Sequence, residues 1–243
     1  MESQERTYRT RMARGQLAAF RVVVKETDLL VLASQDLSRR TRELVCQTRY
    51  QLERYIGAHP DFLHTLSPWP PDPFAPAIVK EMIAAAALVG VGPMAAVAGA
   101  VAEQVGQALK AHSPEVIVEN GGDIFLAVQG RATVAVYAGN SPLSQRIGIQ
   151  VEAAQSPLGI CTSSGTVGHS YSRGRADAAC VLAPSVALAD AAATALGNRI
   201  TDAQAIPAVL DWAAQVPGLL GAVVIVGDKL GAWGAVELVP LRP

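Results

Sequence analysis

Neither sign of charge dominates this chain. Its 243 residues hold 20 lysines and arginines against 21 aspartates and glutamates, and charged residues make up only 17% of the total. A surface so nearly neutral builds no field that attracts a polyanion, and aromatics at 5% supply few rings for stacking bases. Nucleic-acid binding is therefore not expected. Cysteine is scarce too: Cys46, Cys161 and Cys180 are an odd number without regular spacing, which gives neither a disulfide framework nor a zinc site. His59, His64 and His112 show no paired ligand spacing. The segment from Met1 to Arg14 is polar, carries Arg6, Arg9, Arg11 and Arg14, and has no apolar core behind it, so it does not read as a secretory signal. The expected compartment is a reducing one, the cytoplasm. Met82 to Ala102 runs 21 residues without a charge, long enough for a bilayer, yet it is mostly alanine, glycine and valine with Pro93 in its middle. It reads as two buried helices meeting at Gly90-Val91-Gly92-Pro93, with helix amides beside Gly92 open to an anion, and no membrane partner is expected.

Half of the residues are apolar, and their spacing gives the fold class. Ala18 to Val24 and Leu29 to Leu32 predict a pair of strands around Lys25-Glu26-Thr27-Asp28. From Ser34 to Ile56 the apolar positions fall on one helical face. Residues 67–76 hold five prolines, Pro68, Pro70, Pro71, Pro73 and Pro76, and predict a stiff connector that is neither helix nor central strand. Beyond the alanine-rich helices, Val116 to Val118, Ile124 to Val128 and Thr133 to Tyr137 predict a meander of short strands, followed by strands at Ile147 to Val151 and Ala178 to Leu182. Helices at about Ser185 to Gly197 and Ile206 to Gln215 and a strand at Ala222 to Val226 complete the reading. Elements occur both in blocks and in alternation, which predicts an α+β fold with a mixed, mainly antiparallel sheet flanked by helices. The expected organisation is one domain over 1–243, with N-terminal strands and helix in 1–66, the connector in 67–76 and the core in 77–243.

Three segments carry more chemistry than packing requires. Glu119-Asn120-Gly121-Gly122-Asp123 lies between strands and by itself reads as a hairpin turn centred on Asn-Gly. Its functional reading is that paired glycines admit a phosphate or flavin ring to the backbone while Asn120 or Asp123 orients it. Asp190 and Thr194 are four apart in an alanine helix, so their oxygens stack on one face. Two readings stand there, a helix-dipole charge with Thr194 bonding back to a carbonyl, and a magnesium site completed by carbonyls and phosphate. The richest segment is Gly159 to Asp177, where Thr162, Ser163, Ser164 and Gly165 form a candidate anion nest. In the same segment His169 is a candidate acid or base, and Arg173 or Arg175 a candidate partner for phosphate. Cys161, at the end of a strand, is either an activated thiol lowered by that nest or His169, or a buried inert one; Cys46 and Cys180 read as structural.

Taken in order, Val118-Glu119-Asn120-Gly121-Gly122-Asp123, Thr162-Ser163-Ser164-Gly165 and Ala189-Asp190-Ala191-Ala192-Ala193-Thr194-Ala195-Leu196 resemble the ApbE-type FAD:protein FMN transferases. The chain more closely resembles the cytoplasmic ApbE-like family, through Tyr8-Arg9-Thr10-Arg11, Lys25-Glu26-Thr27-Asp28-Leu29, Val91-Gly92-Pro93-Met94-Ala95 and the run from Gly159 to Ser170. The resemblance implies an ApbE-like fold, a small-molecule ligand such as FAD or FMN, and magnesium on Asp190 and Thr194. It also implies a departure: Ala98-Gly99 stands where the transferases have Lys-Gly, and their His-Ile-x-Asp-Pro stretch is reduced to Gly168-His169-Ser170. Both changes remove charge that phosphoryl transfer uses, which leaves transferase activity open. The ApbE-like family is further connected with sulfide assimilation and homocysteine formation, a role in which Cys161 would carry sulfur as a thiolate. A third implied role is a scaffold that binds a protein partner without catalysis.

Overall fold

The computed structural model describes residues 17–165 and 174–241. An eight-stranded sheet runs in the order β1-β2-β3-β4-β7-β8-β9-β10, with every neighbouring pair antiparallel. Its strands are β1 (Ala18–Val24), β2 (Thr27–Ala33), β3 (Val116–Asn120), β4 (Asp123–Ala127), β7 (Leu158–Ser163), β8 (Ala178–Ala183), β9 (Gly221–Val226) and β10 (Lys229–Gly234). A second sheet of three strands, β11-β6-β5, is built from β5 (Ala132–Ala135), β6 (Ile147–Val151) and β11 (Glu237–Pro240). The helices are α1 (Ser38–Ala58), α2 (Ala77–Val89), α3 (Val97–Leu109), α4 (Val186–Arg199) and α5 (Ile206–Gln215).

The central strands β4 and β8 are buried along their whole length, because the large sheet is covered on both faces. One face meets the helices in an apolar core containing Val31, Phe125, Cys161, Val181 and most of α4. The other meets the small sheet through Ile124, Leu126, Ile160, Leu182, Val223 and Ile149. The period-2 alternation of β4, β7 and β8 thus divides their side chains between two apolar layers, and strands buried on both faces read as continuous apolar runs. The α+β fold with a mainly antiparallel sheet follows.

Several expectations are corrected. The helix predicted from Ser34 begins at Ser38, because the Asp36 carboxylate accepts the Ser38 amide at 2.8 Å and turns the chain there. The predicted meander breaks after β4, whose free edge is taken by β7 while β5 pairs with β6 in the small sheet. The stretch containing Cys161 is a central strand, β7, and β10 and β11 carry no signal strong enough to have been expected. The uncharged run from Met82 is two helices as predicted, bent by 105° at Gly90–Pro93, with a 3-10 turn over Pro93–Ala96 before α3. Among the described residues no single helix is long and apolar enough to cross a membrane. Gly92 offers no open anion site, since a side chain there would lie 1.9 Å from the carbonyl oxygen of Thr65, whose backbone covers it.

Candidate functional site

The register of the large sheet places Asn120, Asp123 and Cys161 in one row on its helix-facing side. β3 and β4 are joined by Gly121 and Gly122, both at positive φ (71° and 115°), so the centre of the turn is Gly-Gly and not the expected Asn-Gly. Only glycine enters such a pair of conformations without strain. Asn120 and Asp123 are left facing each other as the last ladder pair. The buried Glu119, on the opposite face, accepts the Gly122 amide at 3.1 Å and holds the turn shut.

Helix α4 crosses over β7 from its start to its end. A Cβ on Gly159 would lie 2.7 Å from Val186 Cα, the Cys161 thiol lies 3.5 Å from the Val186 carbonyl oxygen, and beyond the strand Gly174 packs on the carbonyl of Gly197. Ser163, two residues after Cys161 on β7, points to the same helix-facing side of the sheet. Ser163 is only 7% exposed, and among the described residues its hydroxyl has no hydrogen-bond partner. Such an orphan is costly in a buried site and needs an explanation.

Asp190, 9% exposed, does not serve the dipole of its own helix, the first of its two sequence readings. Its Oδ2 accepts the Gly99 amide at 2.8 Å, and the carboxylate is also bonded by the Ala98 amide, both in the first turn of α3. Those amides lack helical acceptors because the 3-10 turn before α3 breaks the ladder. The arrangement is reciprocal. From α3, Glu103 Oε2 accepts the amides of Val186 (2.8 Å) and Ala187 (3.2 Å) and the Ser185 hydroxyl (3.3 Å), closing the start of α4. The two antiparallel helices can exchange these caps because Gly99 lets them touch: a Cβ there would lie 2.5 Å from the Val186 carbonyl oxygen and 2.8 Å from Asp190 Cβ. Asn120 adds a fourth tie, donating from Nδ2 to the Ala98 carbonyl at 3.0 Å. Glu103 and Glu119 were missed in the sequence. Glu103 had the signal that singled out Asp190, a lone acid in a helix of small residues.

Burial, and after it the charge of Asp123, push Asp190 well above the ordinary carboxylate range, against the opposing pull of the Gly99 and Ala98 amides. Burial likewise raises the Cys161 thiol far above its usual value, with Asp123 and Asp190 adding to the effect. An activated thiolate needs the reverse environment, so of the two readings of Cys161 the buried, inert one fits this position. Cys180 is pushed up to about 11 by burial and is structural in character, as expected.

The structure thus brings Asn120, Gly121, Gly122, Asp123, Cys161, Ser163 and Asp190 together, with Thr194 half-buried one turn farther along α4. It does not bring Thr162, whose hydroxyl lies 2.8 Å from Cys180 Sγ on the opposite face, since side chains alternate along β7. Nor does Gly165 supply a free amide for a nest, because its N–H donates to the Ala176 carbonyl at 3.0 Å. Ser164 is half-buried at the strand end. His169 and Arg173 lie outside the described residues. Among the described residues no group of three or more His, Cys, Asp or Glu is placed to hold a metal ion by itself.

A family model described as AbpE bacteria matches residues 9–228. The chain belongs to this family. It is 41% identical over 212 residues to a UPF0280 protein of Methanocella arvoryzae, covering 87% of this chain and 86% of that one. It is 40% identical over 226 residues to a UPF0280 protein of Methanocaldococcus jannaschii, covering 90% and 92%. Among solved structures it is similar to the flavinyl transferase ApbE of Pseudomonas stutzeri in its apo form, with TM-score 0.58, 14% identity, and 89% and 93% of the two chains covered. The flavin transferase ApbE of Vibrio cholerae gives TM-score 0.56 at 16% identity over 90% and 97%. At these identities the likeness establishes an ApbE-like fold, and the residues must speak for the chemistry.

Proposed function

We propose that the protein binds a flavin nucleotide, FAD or FMN, or a related phosphate-bearing ligand, together with magnesium held by Asp190 and Thr194. The observation that carries this reading is the Asp190 carboxylate, buried within the field of Asp123. Among the described residues, no lysine or arginine is among the groups that bear on it. Two buried acids acting on each other are stabilised when a cation lies between them. The available donors are carboxylate and hydroxyl oxygens, from Asp190, Asp123, Thr194 and Ser163, which suit a hard cation. Magnesium takes one or two protein carboxylates and completes its shell with water and phosphate, so the lack of a larger ligand cluster fits it. Bound there, magnesium would neutralise the phosphate charge. The Gly121-Gly122 turn lets the backbone approach the ligand, and Asn120 keeps that turn and α3 in register.

The fold shared with flavin transferases of Pseudomonas stutzeri and Vibrio cholerae supports the ligand class. At Ala98 this chain brings a methyl group where the transferases carry an ammonium, so the reading is one of binding and assigns no transfer step. Calorimetric titration with FAD, FMN and ATP, each with and without magnesium, tests it on wild type and Asp190→Asn. Wild type should bind a flavin nucleotide with magnesium, and Asp190→Asn should lose at least about tenfold, the charge being what makes a hard-cation ligand. Equal binding by both proteins would remove Asp190 from the metal, and no binding of any nucleotide to wild type would overturn the reading.

A further inference from the structure

Helix α4 is buried almost throughout, and its exceptions are patterned. Every residue from Val186 to Gly197 is buried except Thr194, and the helix closes with Asn198, half-buried, and Arg199, exposed. Asp190, Thr194 and Asn198 are four apart, so they form one row along the helix, each about one turn of 5.4 Å beyond the last. Arg199 stands on the opposite side from Asp190, with its guanidinium 3.8 Å from the centroid of the Trp212 ring. Between Asp190 and Asn198 the open part of α4 is thus a single strip, and every apolar position of the helix lies outside it.

The far end of the strip is tied to the serine-rich strand end. Gly165 has no room for a Cβ because the Gly174 carbonyl fills that space, and Gly174 has none because of the Gly197 carbonyl. The Arg175 amide donates to the Ile200 carbonyl at 2.8 Å, and the Gly165 amide to the Ala176 carbonyl at 3.0 Å. These backbone contacts set the turn that carries Asn198 beside Gly174 and, through it, beside the end of β7. There Ser164 is half-buried, and the buried Ser163 hydroxyl has no partner among the described residues. Water alone would meet charged side chains on the strip as readily. Hydroxyl and carboxamide instead donate and accept without charge, which suits a ligand bearing hydroxyls.

Resting on the function proposed above, we infer that this row extends the ligand site by one helical turn, and that the Asn198 carboxamide hydrogen-bonds to the sugar-alcohol hydroxyls next to the ligand's phosphate. Thr194 stands at the cation, and Asn198 one turn farther, about 5–6 Å. Single bonds of about 1.5 Å advance an extended chain by a little less than that each. A step of this size from the phosphate therefore ends among the hydroxyl-bearing carbons of a ribityl chain or a ribose. A carboxamide donates to one hydroxyl and accepts from the next, which no charged side chain does. Asp190 and Thr194 then answer the phosphate and its cation, and Asn198 selects what the phosphate is attached to.

Asn198→Ala separates this role from a structural one. With magnesium present, FMN and FAD should bind roughly tenfold more weakly to the variant than to wild type, while inorganic pyrophosphate, which has no hydroxyl chain, should bind both alike. Asp190→Asn, in contrast, should lose pyrophosphate and FMN together. ATP distinguishes the two sources of hydroxyls: a loss as large as for FMN places ribose on Asn198, and a loss confined to FMN and FAD places the ribityl chain there. Equal loss for pyrophosphate and FMN, or no loss for any ligand, would reduce Asn198 to a residue that ends α4 and leave the nucleotide reading standing. A second measurement uses wild type and does not depend on the variant folding. The Asn198 side-chain amide signals in NMR should shift on adding FMN with magnesium and stay in place on adding pyrophosphate with magnesium; signals unmoved by FMN, or moved as far by pyrophosphate, would overturn the assignment. No binding of any of these ligands to wild type would overturn both readings.

Discussion

The α3–α4 contact is where fold and site depend on each other, and Gly99→Ala probes it directly. The added Cβ would meet the Val186 carbonyl oxygen at 2.5 Å, the Asp190 Cβ at 2.8 Å and the Val186 carbonyl carbon at 2.9 Å. Two of these are backbone atoms of a helix packed against β7, so rotation of a flexible side chain cannot relieve the clash; the helices must separate. Overpacking of this kind costs about 1–3 kcal/mol. Separation also weakens the Gly99 amide bond to the buried carboxylate, a charged hydrogen bond contributing about 1.5–3 kcal/mol. The total is about 2.5–6 kcal/mol, which for a chain of this size lowers Tm by roughly 5–25 °C. Gly57→Ala is the control. Gly57 sits near the end of α1 with nothing within 4 Å of a built Cβ, and alanine there should stabilise by about 0.5–1 kcal/mol. Urea unfolding followed by circular dichroism measures both. A loss below about 1 kcal/mol in Gly99→Ala would refute the close-contact argument and with it the reciprocal capping.

Glu103→Gln keeps an acceptor for the Val186 and Ala187 amides and, at acid pH where the native side chain is itself neutral, should cost no more than about 1 kcal/mol. Burial raises the folded value of Glu103, so its stabilising contribution is present below its ordinary range and is lost as pH rises through the raised value. The Gln variant should therefore lose less relative to wild type at about pH 8 than at about pH 5, and the reverse trend in paired urea titrations would contradict the assigned direction. Thiol titration of the native protein should find Cys46 reactive and Cys161 and Cys180 silent until denaturant is added; rapid native modification of Cys161 would show that its burial is misassigned. Magnesium alone should raise Tm more at about pH 8 than at about pH 5, because a cation on Asp190 must displace a proton whose affinity burial has increased. A pH-independent shift would place the metal elsewhere.

Local pattern carried much of the architecture. The β1–β2 pair, the helices α2 to α5, and strands β3, β4, β6, β8 and β9 are all written in apolar spacing and turn residues, because these elements satisfy their own periodicity wherever they are packed. The glycine turn and the Asp190 helix singled out in the sequence lie on the helix-facing side of β4 and β7. What the sequence could not give is what those residues face. Cys161 read as the end of a strand, but that β7 runs on through Thr162 and Ser163, whose side chains go to opposite layers, is decided only once β4 and β8 flank it. For Asp190 the sequence left a helix-dipole charge and a metal ligand both open, yet its hydrogen-bond partner is an amide 91 residues earlier, and only the glycine-mediated contact of α3 with α4 brings the two together. The reactivity of Cys161 turned the same way: residue type offered a nucleophile, and burial beside two carboxylates makes it the least acidic kind of thiol. Periodicity is a property of a segment, whereas a pKa or a cap is a property of the neighbours that tertiary packing supplies.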